Sequence, residues 1–219
     1  MKEKIRKVVF GIVDLVLKNL GFLIFALVVY RNLIFLLAII ILNVYAFLDA
    51  LIRPITEKKE EGRYQLILSL LFFLQPFYLI LPFIENEFFI SVYFDIWNIF
   101  VISYIGIVIL IISVLIGLVS RIQIGRYGSG LLVIEENHKL ISSGIYKYIR
   151  HPIYLGGILG MFGFALAFRS CITAFVFLIL FFWVYKKRMD QEERLLEAEF
   201  GEKYREYMNR TNRLIPFIY

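Results

Sequence analysis

Apolar runs of close to 20 residues, separated by short charged connectors, dominate this sequence, and few folds accept them. Coiled into a helix, a run of that length matches the hydrocarbon thickness of a bilayer. Six such runs are read, at 8–30, 32–52, 65–84, 96–120, 153–168 and 172–185. The last two are short and form a tight hairpin turning at Arg169, Ser170 and Cys171. Inside lipid the backbone has no water to bond, so each run must be helical. The expected fold class is all-α, a multi-span transmembrane helical bundle of about six spans. At 60% hydrophobic residues and a mean hydropathy of +0.77, the 219-residue chain carries more apolar surface than a soluble domain hides. The stretch from Lys2 to Lys7 resembles the positive region of a signal peptide. No small-residue cleavage site follows it, so the first run is expected to stay in the mature protein.

The 24 Lys and Arg residues fall unevenly. With the N-terminus inside and six spans, the inner segments 1–7, 53–64, 120–151 and 186–219 hold 4, 4, 5 and 8 of them, 21 in all. Only Arg31 and Arg169 lie in outer turns, Lys18 lies within the first span, and the outer turn after the third span is acidic (Glu85, Glu87, Asp95). This asymmetry predicts that both termini are cytoplasmic. The net charge of +6 therefore reads as topology, and no nucleic-acid partner is expected. A single cysteine, Cys171, excludes an intrachain disulfide, and two histidines without CxxC or HExxH give no metal site. Within the spans, Asp14, Lys18, Asn19 and Asp49 are the costly residues. Asp14 and Lys18 are four apart and can pair on one helical face, or serve substrate entry. Pro76 and Pro82 are expected to kink the third span.

Polar chemistry concentrates between the fourth and fifth spans. Residues 144–154 read GIYKYIRHPIY and hold Tyr146, Lys147, Tyr148, Arg150, His151, Pro152 and Tyr154. Upstream, Arg126 to Gly130 is a flexible joint, 131–134 is apolar, and Glu135 to Lys139 is a turn. Ser142 or Ser143 is expected to cap a short helix near Ile145. Pro152 fits the first turn of the fifth span, where its missing N–H costs little. Beyond the sixth span, Leu195, Leu196, Glu199, Phe200 and Tyr207 recur at helical spacing with a charged opposite face. An amphipathic helix lying along the inner membrane surface and interrupted at Gly201 is the expectation. Loop and tail together are read as one site on the inner side, the loop supplying one half and the tail the other.

The motifs RHPIY, Glu192-Glu193 after Arg188, and Phe200-Gly201-Glu202-Lys203-Tyr204 running on to Arg213 and Pro216 resemble the isoprenylcysteine carboxyl methyltransferase family and its phospholipid methyltransferase relatives. The resemblance covers His138 to the C-terminus and divides the chain into 1–125, N-terminal helices, and 126–219, a catalytic region. It implies an integral membrane enzyme that uses S-adenosyl-L-methionine. It implies cofactor contacts at His138, Lys139, Leu140, Ile141, Tyr146, His151, Pro152, Ile153, Tyr154 and Glu192, and substrate binding at Arg188, with Arg188 and Arg150 as the catalytic pair. The acceptor it implies is a lipophilic molecule such as a prenylated cysteine. An ionised carboxylate acceptor needs no base, whereas an amine needs one, for which Glu193 or His151 is available.

Plainer readings stand beside these. Arg150, Lys147 and Arg188 also suit positive-inside anchors, His151 a structural cap, and Glu192 an ion pair with Arg188 four residues earlier. Tyr204 and Tyr207 also suit interfacial anchors. Competing functions are an NADPH-dependent sterol-reductase-like enzyme, suggested by Arg213, Pro216 and Tyr219, a phospholipid amine N-methyltransferase, and a non-catalytic lipid-binding membrane protein.

Overall fold

The computed structural model describes residues 33–52, 80–82, 84–85, 99–128, 134 and 137–215. The expected first span with Asp14 and Lys18, most of the third with Pro76, and Pro216 to Tyr219 lie outside the described residues. The helices are α1 (Leu33–Ile52), α2 (Ile99–Ile124), α3 (Pro152–Ala167), α4 (Cys171–Phe200) and α5 (Glu202–Arg210). Two 3-10 turns, Gly125–Tyr127 and Gly144–Lys147, join α2 to α3, and no strand occurs among the described residues. The helix Phe100–Tyr127 is long and apolar enough to cross a membrane, and Leu33–Asp49 and Pro152–Ala167 are shorter apolar helices.

The bundle is held where side chains are smallest. A Cβ added at Gly106 on α2 would lie 2.2 Å from the Ala167 backbone nitrogen, and one at Gly163 on α3 would lie 2.8 Å from that of Leu110. The α2 and α3 backbones therefore touch, the mode of helix association that works without a hydrophobic driving force. Phe35, Ala38 and Ile39 of α1 pack on Leu110, Phe164 and Phe168 around this contact, with the Phe35 and Phe168 rings stacked at 4.6 Å.

The hairpin falls where the sequence placed it. The Arg169 N–H donates to Leu166 O at 2.8 Å and the Ser170 N–H to Ala165 O at 3.0 Å, closing α3 in a Schellman turn. Arg169 takes the left-handed position of that turn (φ 63°), and its guanidinium covers the Phe100 and Phe35 rings at 4.8 and 5.6 Å. Glu85, expected merely as part of an acidic outer turn, accepts hydrogen bonds from the backbone N–H of Ile172 (2.9 Å) and Thr173 (2.7 Å). It thus satisfies two orphan donors at the α4 N-terminus.

One expectation changes in kind. The sixth span and the first part of the tail are a single helix, α4, of 30 residues. Residues 186–200 therefore continue the axis of the apolar half rather than turning along a surface. The sequence between Tyr185 and Phe200 holds no glycine or proline that would break it. Gly201 does end the helix, at φ 56° and ψ −129°, a conformation closed to residues with a Cβ. The amphipathic element is α5, which buries Tyr204 and Tyr207 and exposes Glu202, Lys203, Arg205 and Glu206.

Candidate active site

The loop and the tail meet through backbone pairing. Ile149 and Asn212 form a parallel bridge: Arg150 N–H donates to Asn212 O (2.8 Å), Asn212 N–H to Tyr148 O (3.1 Å), and His151 N–H to Arg213 O (3.1 Å). Tyr207 of α5 donates its hydroxyl to Tyr146 O at 2.7 Å. The loop is seated on α2 from the other side, where Tyr146 donates to Ser120 O (3.3 Å) and Ile145 N–H to Gln123 Oε1 (2.9 Å). Gln123 thereby does what was expected of Ser142 or Ser143: the turn begins after Ser143, which makes no side-chain cap. Gly144 suits that place, having φ 61° and leaving room for the Gln123 amide where a Cβ would stand.

Glu193 is the hub of this junction. Its carboxylate accepts from Arg150 Nε at 2.8 Å, stands 3.0 Å from His151 Nε2, and accepts from Arg213 Nη2 at 2.7 Å. Burial alone would raise its pKa, but hydrogen bonds from His151, Arg213 and Arg150 outweigh that and hold the carboxyl down to about 2. Arg150 reaches further, from Nη1 to Met208 O (3.1 Å) and to Thr211 O, and Arg213 also pairs with Asp190 at 2.6 Å. Burial raises the phenols of Tyr146 and Tyr204, and that of Tyr207 to about 12, so all three remain protonated, Tyr146 and Tyr207 as the donors just described.

A second group lies one turn away along α4. The Tyr154 hydroxyl accepts from Arg188 Nε (2.9 Å) and donates to Glu192 Oε2 (2.6 Å), with His151 Nδ1 3.8 Å from the same oxygen. Arg188 and Glu192 are four apart on α4 and present one face to Tyr154, which explains the spacing. Tyr154 stacks between His151 (5.5 Å) and Tyr185 (5.0 Å). Arg188 is 4% exposed, while the Glu192 side chain keeps 30% and that of Glu193 13%.

The structure thus brings together His151, Pro152, Tyr154, Arg188 and Glu192, with Arg150 and Tyr146 at the loop–tail junction. His138 stands apart from that group, stacked on Tyr127 at 4.7 Å and edge-on to Phe200 at 5.7 Å, with the half-buried Leu140 and Ile141 and the exposed Lys139 following it. Ile153, half-buried, follows Pro152 in the first turn of α3. The central place of Glu193, Asp190, Thr211 and Gln123 was not foreseen. For Glu193 the signal was present: it neighbours Glu192 in the motif, and the two carboxylates flank His151 from adjacent positions of α4.

Residues 101–203 match the family profile described as phospholipid methyltransferase. A protein named probable protein-S-isoprenylcysteine O-methyltransferase, from Oryza sativa subsp. indica, is 31% identical over 53% of this chain and 62% of its own. Protein-S-isoprenylcysteine O-methyltransferase B of Arabidopsis thaliana is 31% identical over 53% of this chain and 60% of its own. Through this region the chain is similar to phospholipid and isoprenylcysteine methyltransferases. It spans about three-fifths of the length of these curated relatives. The fold is shared with a solved structure described as the eukaryotic intramembrane Ras methyltransferase, isoprenylcysteine carboxyl methyltransferase, which superposes with a TM-score of 0.66 at 18% identity. The match covers 98% of this chain and 84% of that one. The family's matched region contains the whole of α3 and α4, and so both Tyr154 and Glu193.

Proposed function

We propose that this chain is an integral membrane methyltransferase that transfers a methyl group from S-adenosyl-L-methionine to the carboxylate of a lipophilic acceptor of the prenylated-cysteine type. The observation that carries the reading is the Tyr154 hydroxyl held between the Arg188 guanidinium and the Glu192 carboxylate. That donor set fits the cofactor: a partly exposed carboxylate suits its ammonium, and stacked aromatic faces suit its cationic sulfur and its adenine. His138, Lys139, Leu140, Ile141, Tyr146, His151, Pro152, Ile153, Tyr154 and Glu192 would hold it. When bound, S-adenosyl-L-methionine supplies an electrophilic methyl group.

The chain's own residues orient the acceptor and exclude water. Arg188, its plane fixed by Tyr154, clamps the acceptor carboxylate through charge-assisted hydrogen bonds. Arg150 acts one step back, bracing the tail against the loop through Glu193 and two tail carbonyls. Glu193 bears on the acceptor chemistry. An amine would require a base, and a carboxyl held at about 2 by three donors is a poor one. A carboxylate is already ionised and needs none, which supports ester formation over N-methylation. The division into a scaffold, 1–125, and a catalytic region, 126–219, belongs to this proposal, as do six spans with both termini cytoplasmic.

Detergent-purified protein should bind radiolabelled S-adenosyl-L-methionine and not NADPH. Incubation with S-farnesylcysteine should give a base-labile methyl ester, whereas phosphatidylethanolamine should stay unlabelled. Glu192→Ala should weaken cofactor binding, and Arg188→Ala should raise the acceptor KM with cofactor affinity kept. Binding of NADPH alone, or labelling of the amine lipid alone, refutes the reading.

A further inference from the structure

The inner end of α2 makes contacts that the site above does not use. Arg121 and Asp49 of α1 form an ion pair, Nε to Oδ1 at 2.7 Å, with side chains only 5% and 8% exposed. Arg121 Nη1 also donates to Gly128 O, just past the turn Gly125–Tyr127. A Cβ at Gly128 would stand 2.4 Å from Ile124 Cγ2 and 3.0 Å from Arg121 Nη1, so the turn is drawn tight against the guanidinium. Tyr127, the last residue of that turn, stacks on His138 and donates its hydroxyl to Asn137 O at 3.3 Å. His138 in turn meets Phe200 at the end of α4. One line of contacts therefore runs from α1 through α2 and Tyr127 to the start of the segment 138–141.

We propose that Asp49 and Arg121 are positioning residues: by gripping Gly128 they set Tyr127 as the platform on which His138 rests. The inference rests on the cofactor role given above to residues 138–141. A buried ion pair is a weak stabiliser next to an apolar pair of the same size, so stability is a poor reason to keep one at this depth. Direction is a better one. A guanidinium offers several donors in a fixed plane, so one side chain can face Asp49 and hold a carbonyl at the same time. A lysine has a single ammonium and cannot reproduce that geometry.

The test separates support from stability. In the full chain in detergent, the double variant Asp49→Leu/Arg121→Met replaces the pair by apolar side chains and releases Gly128. Its thermal midpoint should stay within a few degrees of wild type. Amide hydrogen exchange at residues 137–141 should quicken about tenfold, and S-adenosyl-L-methionine should bind about tenfold more weakly with the acceptor KM unchanged. Tyr127→Ala should reproduce the exchange and affinity changes, while Tyr127→Phe, which keeps the ring, should not. If the double variant fails to fold, Arg121→Lys decides the matter: it keeps a charge beside Asp49 without the second donor for Gly128 O, and should quicken exchange at residues 137–141 in the same way. Unchanged exchange at 137–141 in a folded variant overturns the inference. Faster exchange in a protein whose wild type binds no S-adenosyl-L-methionine upholds the support role and removes the cofactor reading instead.

Discussion

Replacing Glu193 by glutamine keeps the shape of the hub and removes its charge. In the native protein the carboxyl drops from an ordinary 4.5 to about 2, because His151, Arg213 and Arg150 together overcome the cost of burial. At about 1.4 kcal/mol per tenfold, that drop is worth roughly 3 kcal/mol. Water reaches part of the site and screens the interaction, leaving about 2 kcal/mol. The folded state holds its proton less tightly than the unfolded chain. This stability is therefore complete above pH 4.5 and is lost as pH falls towards about 2. Glu193→Gln should accordingly lower the midpoint of thermal unfolding in detergent at pH 7 by on the order of 5 °C. Its stability should change less than that of wild type between pH 4.5 and 2. Because Arg150 and Arg213 hold the tail through this carboxylate, methyl transfer should fall as well. An unchanged midpoint at pH 7, or equal losses in both proteins across that pH window, would refute the assignment of Glu193 as the electrostatic centre.

Tyr154→Phe keeps the ring stack but strips the bridge between Arg188 and Glu192, and should weaken S-adenosyl-L-methionine by about 1 kcal/mol, read by equilibrium binding. Glu85→Ala removes the acceptor for two N–H groups at the far end of α4 and should cost about 1–2 kcal/mol of thermal stability with cofactor affinity intact. Gly106→Ala forces a methyl into the Ala167 backbone and should destabilise by about 1–3 kcal/mol; a neutral result would mean that α2 and α3 do not touch as described.

Local rules written in neighbouring residues were legible in the sequence, and partners far apart in the chain were not. Pro152 at the start of α3 and the stop at Gly201 follow from the residue's own backbone preference, and the turn at Arg169 to Cys171 from the polar break between two apolar runs. Asp49 was recognisable as a costly group, yet its partner Arg121 lies 72 residues away and reads equally well as a topological charge. Capping of the loop turn passed from Ser142 or Ser143 to Gln123 because tertiary packing brings a side chain from α2 to the same N–H. The change from apolar to charged residues at Lys186 suggested a separate surface element. Composition alone does not say whether a helix ends where its residues turn charged, and α4 runs on through Lys186 without a break. The loop and the tail meet as the clustering of RHPIY and Glu192-Glu193 implied, but the backbone bridge between Ile149 and Asn212 has no sequence signature.

The continuity of α4 leaves it no freedom of phase. Glu85 fixes its first turn, while Tyr154 and the Glu193 cluster fix the turns from Arg188 to Glu193. A residue inserted near its middle would rotate Arg188 and Glu192 by about 100° relative to Tyr154 and move them about 1.5 Å along the axis. Adding seven residues would nearly restore the angle but displace them by about 10 Å. The stretch between Thr173 and Arg188 therefore cannot change its length.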